Sequence, residues 1–247
     1  MPDFSILIPA RLESTRLPRK ALADINGAPL VARVWQRAIT CGAKRVCVVT
    51  DHTDIANVIL NLGGEVVMSD PHHASGTDRI AQAIGTMGLS DDEVIVNLQG
   101  DEPLMPQACV RQVASMLHAQ PDAHMATLYD VCSLVQWGDP NVVKLLTTHT
   151  GVALAFSRSP IPYQRNGTWP KSIAKRHVGL YAYRVHALNA WGSLPQSAIE
   201  TAESLEQWRA LSAGWHIVCA QADAPIPAGV DSIEDLERVR DAFVSHG

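Results

Sequence analysis

The first hundred residues alternate short apolar runs with helical patterns, and that rhythm leaves few architectures open. Residues 4–9 read as a strand, and Pro29 opens a helix whose apolar positions are Leu30, Val31, Val34, Ala38 and Ile39. RVCVVTD (45–51) is a second strand. A helix over about 52–62 stops at Gly63-Gly64, and EVVMS (65–69) is a third strand. In GTDRIAQAIGTM, Ile80, Ala83, Ile84 and Met87 follow the i, i+3, i+4, i+7 spacing of one helix face. EVIVNLQGDEP (93–103) is a buried strand that ends in polar residues. This β-α-β-α order predicts a mainly parallel sheet with helices on both faces. Right-handed crossovers place the strand C-termini along one edge, which is where open α/β sheets bind ligands.

The second half is less regular. PNVVKLLTT and VALAFSR are strands joined by a turn at Thr150-Gly151. Residues 157–172 hold three prolines and one glycine, and form a loop or projecting arm. RHVGLYAYR (176–184) and HIVCA are strands. Residues 198–213 are expected as one helix with Ala198, Ala202, Leu205, Trp208 and Leu211 toward the core, and 232–246 as a last helix.

A chain of 247 residues, 47% hydrophobic and 18% charged, can bury a sizeable core as one large α/β domain. Its net charge of −5 disfavours nucleic acid as a partner. Five cysteines, odd in number and without metal-ligand spacing, read as reduced thiols of a cytosolic protein. No run approaches the roughly 18 apolar residues of a membrane span, and the start lacks signal-peptide features. A cytoplasmic protein with no membrane partner is expected.

Against that acidic background, LIPARLESTRLPRKAL (7–22) places Arg11, Arg16, Arg19 and Lys20 just past the first strand. Such a loop can wrap a polyphosphate, with Lys as a point charge and Arg as a fork of donors; it can equally be a solvated surface loop. It is neither a Walker A loop nor GxGxxG. Other patterns have two readings as well. In QGDEP, Asp101 and Glu102 follow a buried strand, and a carboxylate there can hold Mg²⁺ or cap the helix after Pro106. In GVDSIEDL, Asp231 with Glu234, or Ser232 with Asp235, fits a capping box. SGTDR fits a helix cap at Ser75, or a helix N-terminus that a ligand can approach over Gly76. His177, Gly179, Tyr181 and Tyr183 differ by even numbers and share one strand face. Glu203 and Glu206 share a helix face opposite the apolar one, either solvated with a Glu206–Arg209 pair or turned to a hydroxyl-rich ligand.

The segment PARLESTRLPRKAL resembles the signature loop of the sugar-acid cytidylyltransferases, nearest to their 3-deoxy-manno-octulosonate (Kdo) branch. The resemblance continues, in the family's order, through SGTDR, VNLQGDEP, PNVVK, FSRSPIP, RHVGLYAYR, ESLEQWR and GVDSIEDLERV, and covers most of the chain. It implies a three-layer αβα, Rossmann-like nucleotidyltransferase fold over residues 1–247. The sheet is mainly parallel but mixed, with a loop or dimerisation arm near 157–178. It implies transfer of CMP from CTP to the anomeric hydroxyl of Kdo, with Arg11, Lys20 and Asp101 catalytic. Pro9, Ala10, Arg11, Arg16, Lys20, Ser75 and Arg79 would bind the nucleotide. Gln99, Gly100, Arg158, His177, Tyr181, Glu203 and Glu206 would bind the sugar acid. Asp101 and Asp231 would hold Mg²⁺, and a homodimer is expected. Alternatives are a cytidylyltransferase for an 8-amino Kdo analogue or a sialic-acid-like sugar, and a non-catalytic nucleotide-sensing module on the same fold. The segment between Arg158 and Lys175 is shorter than in typical members, and Arg19 and Ala21 stand where Gly and Pro are common.

Overall fold

The computed structural model describes residues 3–73, 75–167, 169, 171 and 173–244. The chain opens with β1 (Phe4–Ala10), the hairpin β2 (Asp24–Ile25) and β3 (Ala28–Pro29), and α1 (Leu30–Ile39). There follow β4 (Arg45–Thr50), α2 (Thr53–Asn61), β5 (Glu65–Met68), α3 (Gly76–Met87), β6 (Val94–Asn97) and α4 (Gln107–Ala119). The second half contains β7 (Met125–Val131), α5 (Leu134–Gly138), β8 (Lys144–Thr147), β9 (Ala153–Ser157), β10 (Lys175–Arg184) and α6 (Val185–Trp191). It closes with α7 (Ala198–Glu203), α8 (Gln207–Ser212), β11 (Ile217–Gln221) and α9 (Ile233–Val244).

One sheet runs in the order β11-β7-β10-β6-β1-β4-β5, with β8 and β9 joined through β10. β1 pairs in parallel with β4 and β6, β4 with β5, and β7 with β11. Alternation along β1 divides the core: Phe4, Ile6 and Ile8 enter one apolar cluster and Leu7 the other. The first cluster gathers Val31 and Val34 of α1, Ile55 of α2, Val113 of α4 and Leu236 of α9. The second gathers Ile80 of α3, Leu188 and Trp191 of α6, and Ala210 of α8. Helices therefore cover both faces, as the alternating half of the sequence predicts.

The sheet is mixed, as the resemblance implies: β10 is antiparallel to both β6 and β7, so its amino end lies at the ligand edge. One expectation needs correction. The single helix expected over 198–213 is two, because Ser204 adopts a left-handed backbone (φ 51°) and swings the chain between α7 and α8. Ala198 and Ala202 consequently face solvent, and Glu203 and Glu206 do not share a helix face. Five elements, the hairpin strands β2 and β3, β7, α5 and α6, had no counterpart in the sequence pattern. Residues 245 and 246 of the expected last helix lie outside the described residues.

Candidate active site

The basic segment leaves β1, and its last turn folds back on the sheet. Arg19 takes a left-handed conformation (φ 55°) and begins a single 3-10 turn, Lys20–Leu22, that carries Lys20 inward. Its Nζ donates to Asp101 Oδ2 at 2.7 Å and to Asp231 Oδ1 at 3.1 Å. Arg16 pairs with the other Asp231 oxygen at 3.1 Å. Arg19 turns outward instead, onto Asp54 of α2 at 2.7 Å.

The two acids are distant in sequence and meet for local reasons. Asp101 lies just past β6, and its carbonyl accepts a hydrogen bond from Val230 N at 2.9 Å, which draws the residues before α9 alongside. A Cβ on Gly229 would stand 2.9 Å from Glu102 Oε1 and 3.0 Å from Asp101 O, so a side chain there would displace the Glu102 carboxylate and press on the Asp101 carbonyl. Gly100 is required more strictly, since its Cβ would lie 2.7 Å from the backbone oxygen of Pro9. Burial alone would lower the Lys20 pKa, but Asp101 and then Asp231 outweigh it and hold it above the ordinary value. Behind them burial, with Asp101 and Asp231, pushes the Glu102 carboxyl up to about 8. Asp235 accepts from the amides of Asp231 and Ser232, and Ser232 Oγ from Asp235 N, so the capping box exists. The Asp231 carboxylate is left free to face Lys20.

These groups border a cleft of about 310 Å³ at the carboxyl edge of the sheet. Pro9, Ala10, Arg11, Arg16, Lys20, Ser75 and Arg79, the residues assigned to the nucleotide, all line it. Gln99, Gly100, Asp101 and Asp231 complete its floor. Ser75 caps α3, accepting from Asp78 N at 3.1 Å. Arg79 is buried and braces the wall, donating to Asp51 Oδ2 at 3.0 Å, to the Ser69 hydroxyl and to Asp70 O.

A second cleft of about 240 Å³ adjoins the first, and Gly76, Gln99 and Glu206 line both. Tyr181 forms part of its wall. Burial raises the Glu206 carboxyl, while hydrogen bonds from Thr77 and Ser75 pull it back. Gln207 also lines this cleft and went unnoticed in the sequence. Its Nε2 donates to the Tyr181 hydroxyl, and its buried Oε1 has no partner among the described residues. The signal was available: Gln207 follows Glu206 within the same ESLEQWR block.

Three sugar-acid candidates lie outside both clefts. Arg158 Nε donates to Glu203 O at 2.7 Å and Nη1 to Pro140 O at 3.1 Å, tying the C-terminus of α7 to the turn before β8. Glu203 accepts from Ser157 Oγ at 2.6 Å and Arg158 N at 2.9 Å. These bonds overcome burial and lower its pKa. His177 is buried, with Nε2 3.0 Å from Thr127 Oγ1, and burial depresses its pKa to about 3. It does share a face with Tyr181 and Tyr183, as even spacing requires, with ring centroids 5.4 and 5.9 Å apart in sequence.

An ammonium shared by two carboxylates marks a point where positive charge is favoured. Mg²⁺ takes one or two carboxylates and fills its remaining positions with water and phosphate oxygens, so Asp101 and Asp231 fit it. No group of three or more His, Cys, Asp or Glu side chains suited to a metal occurs among the described residues.

A sheet whose carboxyl edge sets cations against paired carboxylates, beneath helices on both faces, is a nucleotidyltransferase fold. A family profile described as cytidylyltransferase matches residues 5–220, and the chain belongs to that family. It is 44% identical to the 3-deoxy-manno-octulosonate cytidylyltransferase of Pasteurella multocida (strain Pm70), over 97% of this chain and 98% of that one. To the protein of the same name from Thioalkalivibrio sulfidiphilus (strain HL-EbGR7) it is 46% identical, over 96% and 97%. A solved CMP:2-keto-3-deoxy-manno-octonic acid synthetase complexed with CTP superposes with a TM-score of 0.92 at 37% identity, covering 99% of this chain and 100% of that one. A cytidylyltransferase from Leptospira borgpetersenii, 17% identical with a TM-score of 0.64 over 99% and 88% of the two chains, shares the fold.

Proposed function

We infer that this protein transfers CMP from CTP to the anomeric hydroxyl of 3-deoxy-manno-octulosonate, releasing pyrophosphate. The reading is carried by the convergence of Lys20, Asp101 and Asp231 at the edge of a cleft that the basic loop encloses. Near-full-length likeness to enzymes of that name supports the choice of substrates.

The first cleft takes the nucleotide. Arg11 and Arg16 are exposed on its rim and meet the triphosphate, and Lys20 moves from the acids to a phosphate oxygen as charge arrives. The N-terminus of α3, capped by Ser75, offers free amides toward the ribose and base side. Mg²⁺ held by Asp101 and Asp231 would supply Lewis-acid stabilisation of phosphate charge. The second cleft takes the sugar acid: Glu206 and the free Oε1 of Gln207 accept from its hydroxyls, with the Tyr181 ring as a wall. Gln99, on the border of both, orients the anomeric hydroxyl toward the α-phosphorus. The hydroxyl oxygen bonds to that phosphorus, the bond to the β-phosphate oxygen breaks in line, and the proton passes to solvent. Positioning and charge account for such a reaction.

A homodimer is part of the proposal. Val135 and Tyr163 are 83% and 86% exposed beside the arm, with Leu134 and Ile173 nearby in the chain, and this supports a second copy there. The test of activity is pyrophosphate release with CTP and Mg²⁺ across Kdo, its 8-amino analogue and sialic acid. Release with Kdo alone, or with Kdo at the highest kcat/KM, is the expected result. A preference for another acid reassigns the sugar, and no release with any of them overturns the reading.

A further inference from the structure

Arg209, Asp78 and Glu200 form a charged cluster one helical turn below the junction of the two clefts; none of the three lines either cleft, though their neighbour Trp191 lines the second. Arg209 Nη1 donates to Asp78 Oδ1 at 3.1 Å, and Nη2 and Nε hold Glu200 Oε1 at 2.7 and 3.1 Å. Trp191 Nε1 donates to the same Asp78 oxygen at 2.7 Å, and the guanidinium lies 4.8 Å from the indole centroid. The side chains of Arg209, Asp78 and Glu200 are 13%, 18% and 4% exposed, so little water screens them.

The cluster repeats the geometry of the cleft above it. Asp78 is one turn past Ser75, and Arg209 is one turn past Glu206; residues three apart stack on the same side of a helical turn. Ser75 and Thr77 hydrogen-bond to Glu206 at the cleft, and Asp78 pairs with Arg209 beneath. The same guanidinium also spans the break at Ser204, since Glu200 belongs to α7 and Arg209 to α8. Trp208 Nε1, donating to Phe156 O at 2.8 Å, and Gln207, on the Tyr181 hydroxyl, hold α8 to the sheet; the guanidinium ties it to α7 and α3.

We propose that Arg209 is a positioning residue which, by bridging Asp78 of α3 and Glu200 of α7, fixes Glu206 and Gln207 against the N-terminus of α3 and so couples the sugar-acid cleft to the nucleotide cleft. The identity of the two substrates rests on the function proposed above; the bridge does not. Arginine is needed because its planar fork reaches both acids at once, which a lysine point charge cannot do.

The test compares Arg209→Lys and Arg209→Gln with the wild-type protein, using pyrophosphate-release kinetics and amide hydrogen exchange without substrate. Arg209→Gln should raise the KM for the sugar acid by about tenfold and that for CTP by less than about twofold. Arg209→Lys should recover part of that loss. Amides at 76–79 and 205–209 should lose protection together in Arg209→Gln. Unchanged KM values with a lowered melting temperature, or equal losses for both substrates, would reduce Arg209 to a structural brace and overturn the proposal. If Arg209→Gln does not fold, Arg209→Lys decides: a wild-type KM ratio and wild-type exchange in both segments count against the bridge. A wild-type protein inactive with every sugar acid sinks the substrate reading, while the exchange measurement still judges the bridge.

Discussion

The two clefts share a border yet are made of different material. The first is walled by charge that is partly in water: the side chains of Arg16 and Asp231 are 68% and 49% exposed. The second is walled by groups sealed from water, with Tyr181 and Tyr183 buried and Gln207 tied to the Tyr181 hydroxyl. Side chains on a loop can rearrange around a flexible polyanion, and their attraction is long-ranged but screened by salt. A rigid, desolvated wall selects by shape and by the cost of leaving a buried polar atom unpaired. Charge is gathered where the ligand is charged, and preshaped polarity where it carries hydroxyls.

The sharpest way to break this contrast is Asp101→Asn. Turnover in the pyrophosphate-release assay should fall by about 10²–10³, as for other preorganised electrostatic groups, with an unchanged melting temperature. Near-normal turnover would remove the first cleft's charges from the chemistry.

The next effect belongs to a buried group outside the clefts, packed on the Tyr181 ring that forms the second cleft's wall. The His177 pKa is depressed to about 3, below an unfolded value near 6.5, so the unfolded chain binds the proton first as pH falls. Stability is therefore full above about pH 6.5 and is lost toward pH 3, by about 2 kcal/mol at pH 5. Urea midpoints at pH 7 and 5 should differ more in the wild-type protein than in His177→Gln; equal differences would place the pH sensitivity elsewhere.

Lys20→Met should raise the KM for CTP about tenfold and leave that for the sugar acid within about twofold. Added salt should raise the KM for CTP in the wild-type protein more than that for the sugar acid. The smallest change expected is with Tyr181→Phe, which removes the partner of the Gln207 amide. It should raise the KM for the sugar acid by about threefold and spare CTP. Sensitivity of CTP to this change, or indifference of CTP to the loss of Lys20, would dissolve the division between the clefts.

How much of this could be read in advance follows the same divide. The nucleotide side is built where apolar runs end in loops, and the runs of β1, β4 and β6 are legible because burial on both sides of a parallel sheet leaves a continuous apolar stretch, whereas the β2–β3 hairpin was not read. The meeting of Asp101 with Asp231 was expected from the resemblance, but the backbone bond from Val230 that holds it is invisible in a list of residues. On the other side, β7 went unread although Thr127, Tyr129 and Val131 all favour a strand, and the role of Thr127 shows only in the structure. Its hydroxyl lies 3.1 and 2.9 Å from Val178 O and Leu180 O, where β10 shifts register. The pattern over 198–213 misled because a serine rarely takes the left-handed turn that splits α7 from α8. Arg158, His177 and Glu203 were assigned by resemblance, and the structure engages all three with protein partners outside the clefts.

The lysine between the two aspartates has a last consequence. A pair of acids facing one another would repel and loosen the segment before α9, yet here the chain supplies its own tethered counter-ion. The resting protein thus neutralises this pair of acids with its own ammonium. Its thermal midpoint without nucleotide should be indifferent to chelators, and free Mg²⁺ should find that pair already taken until a triphosphate lures the ammonium away.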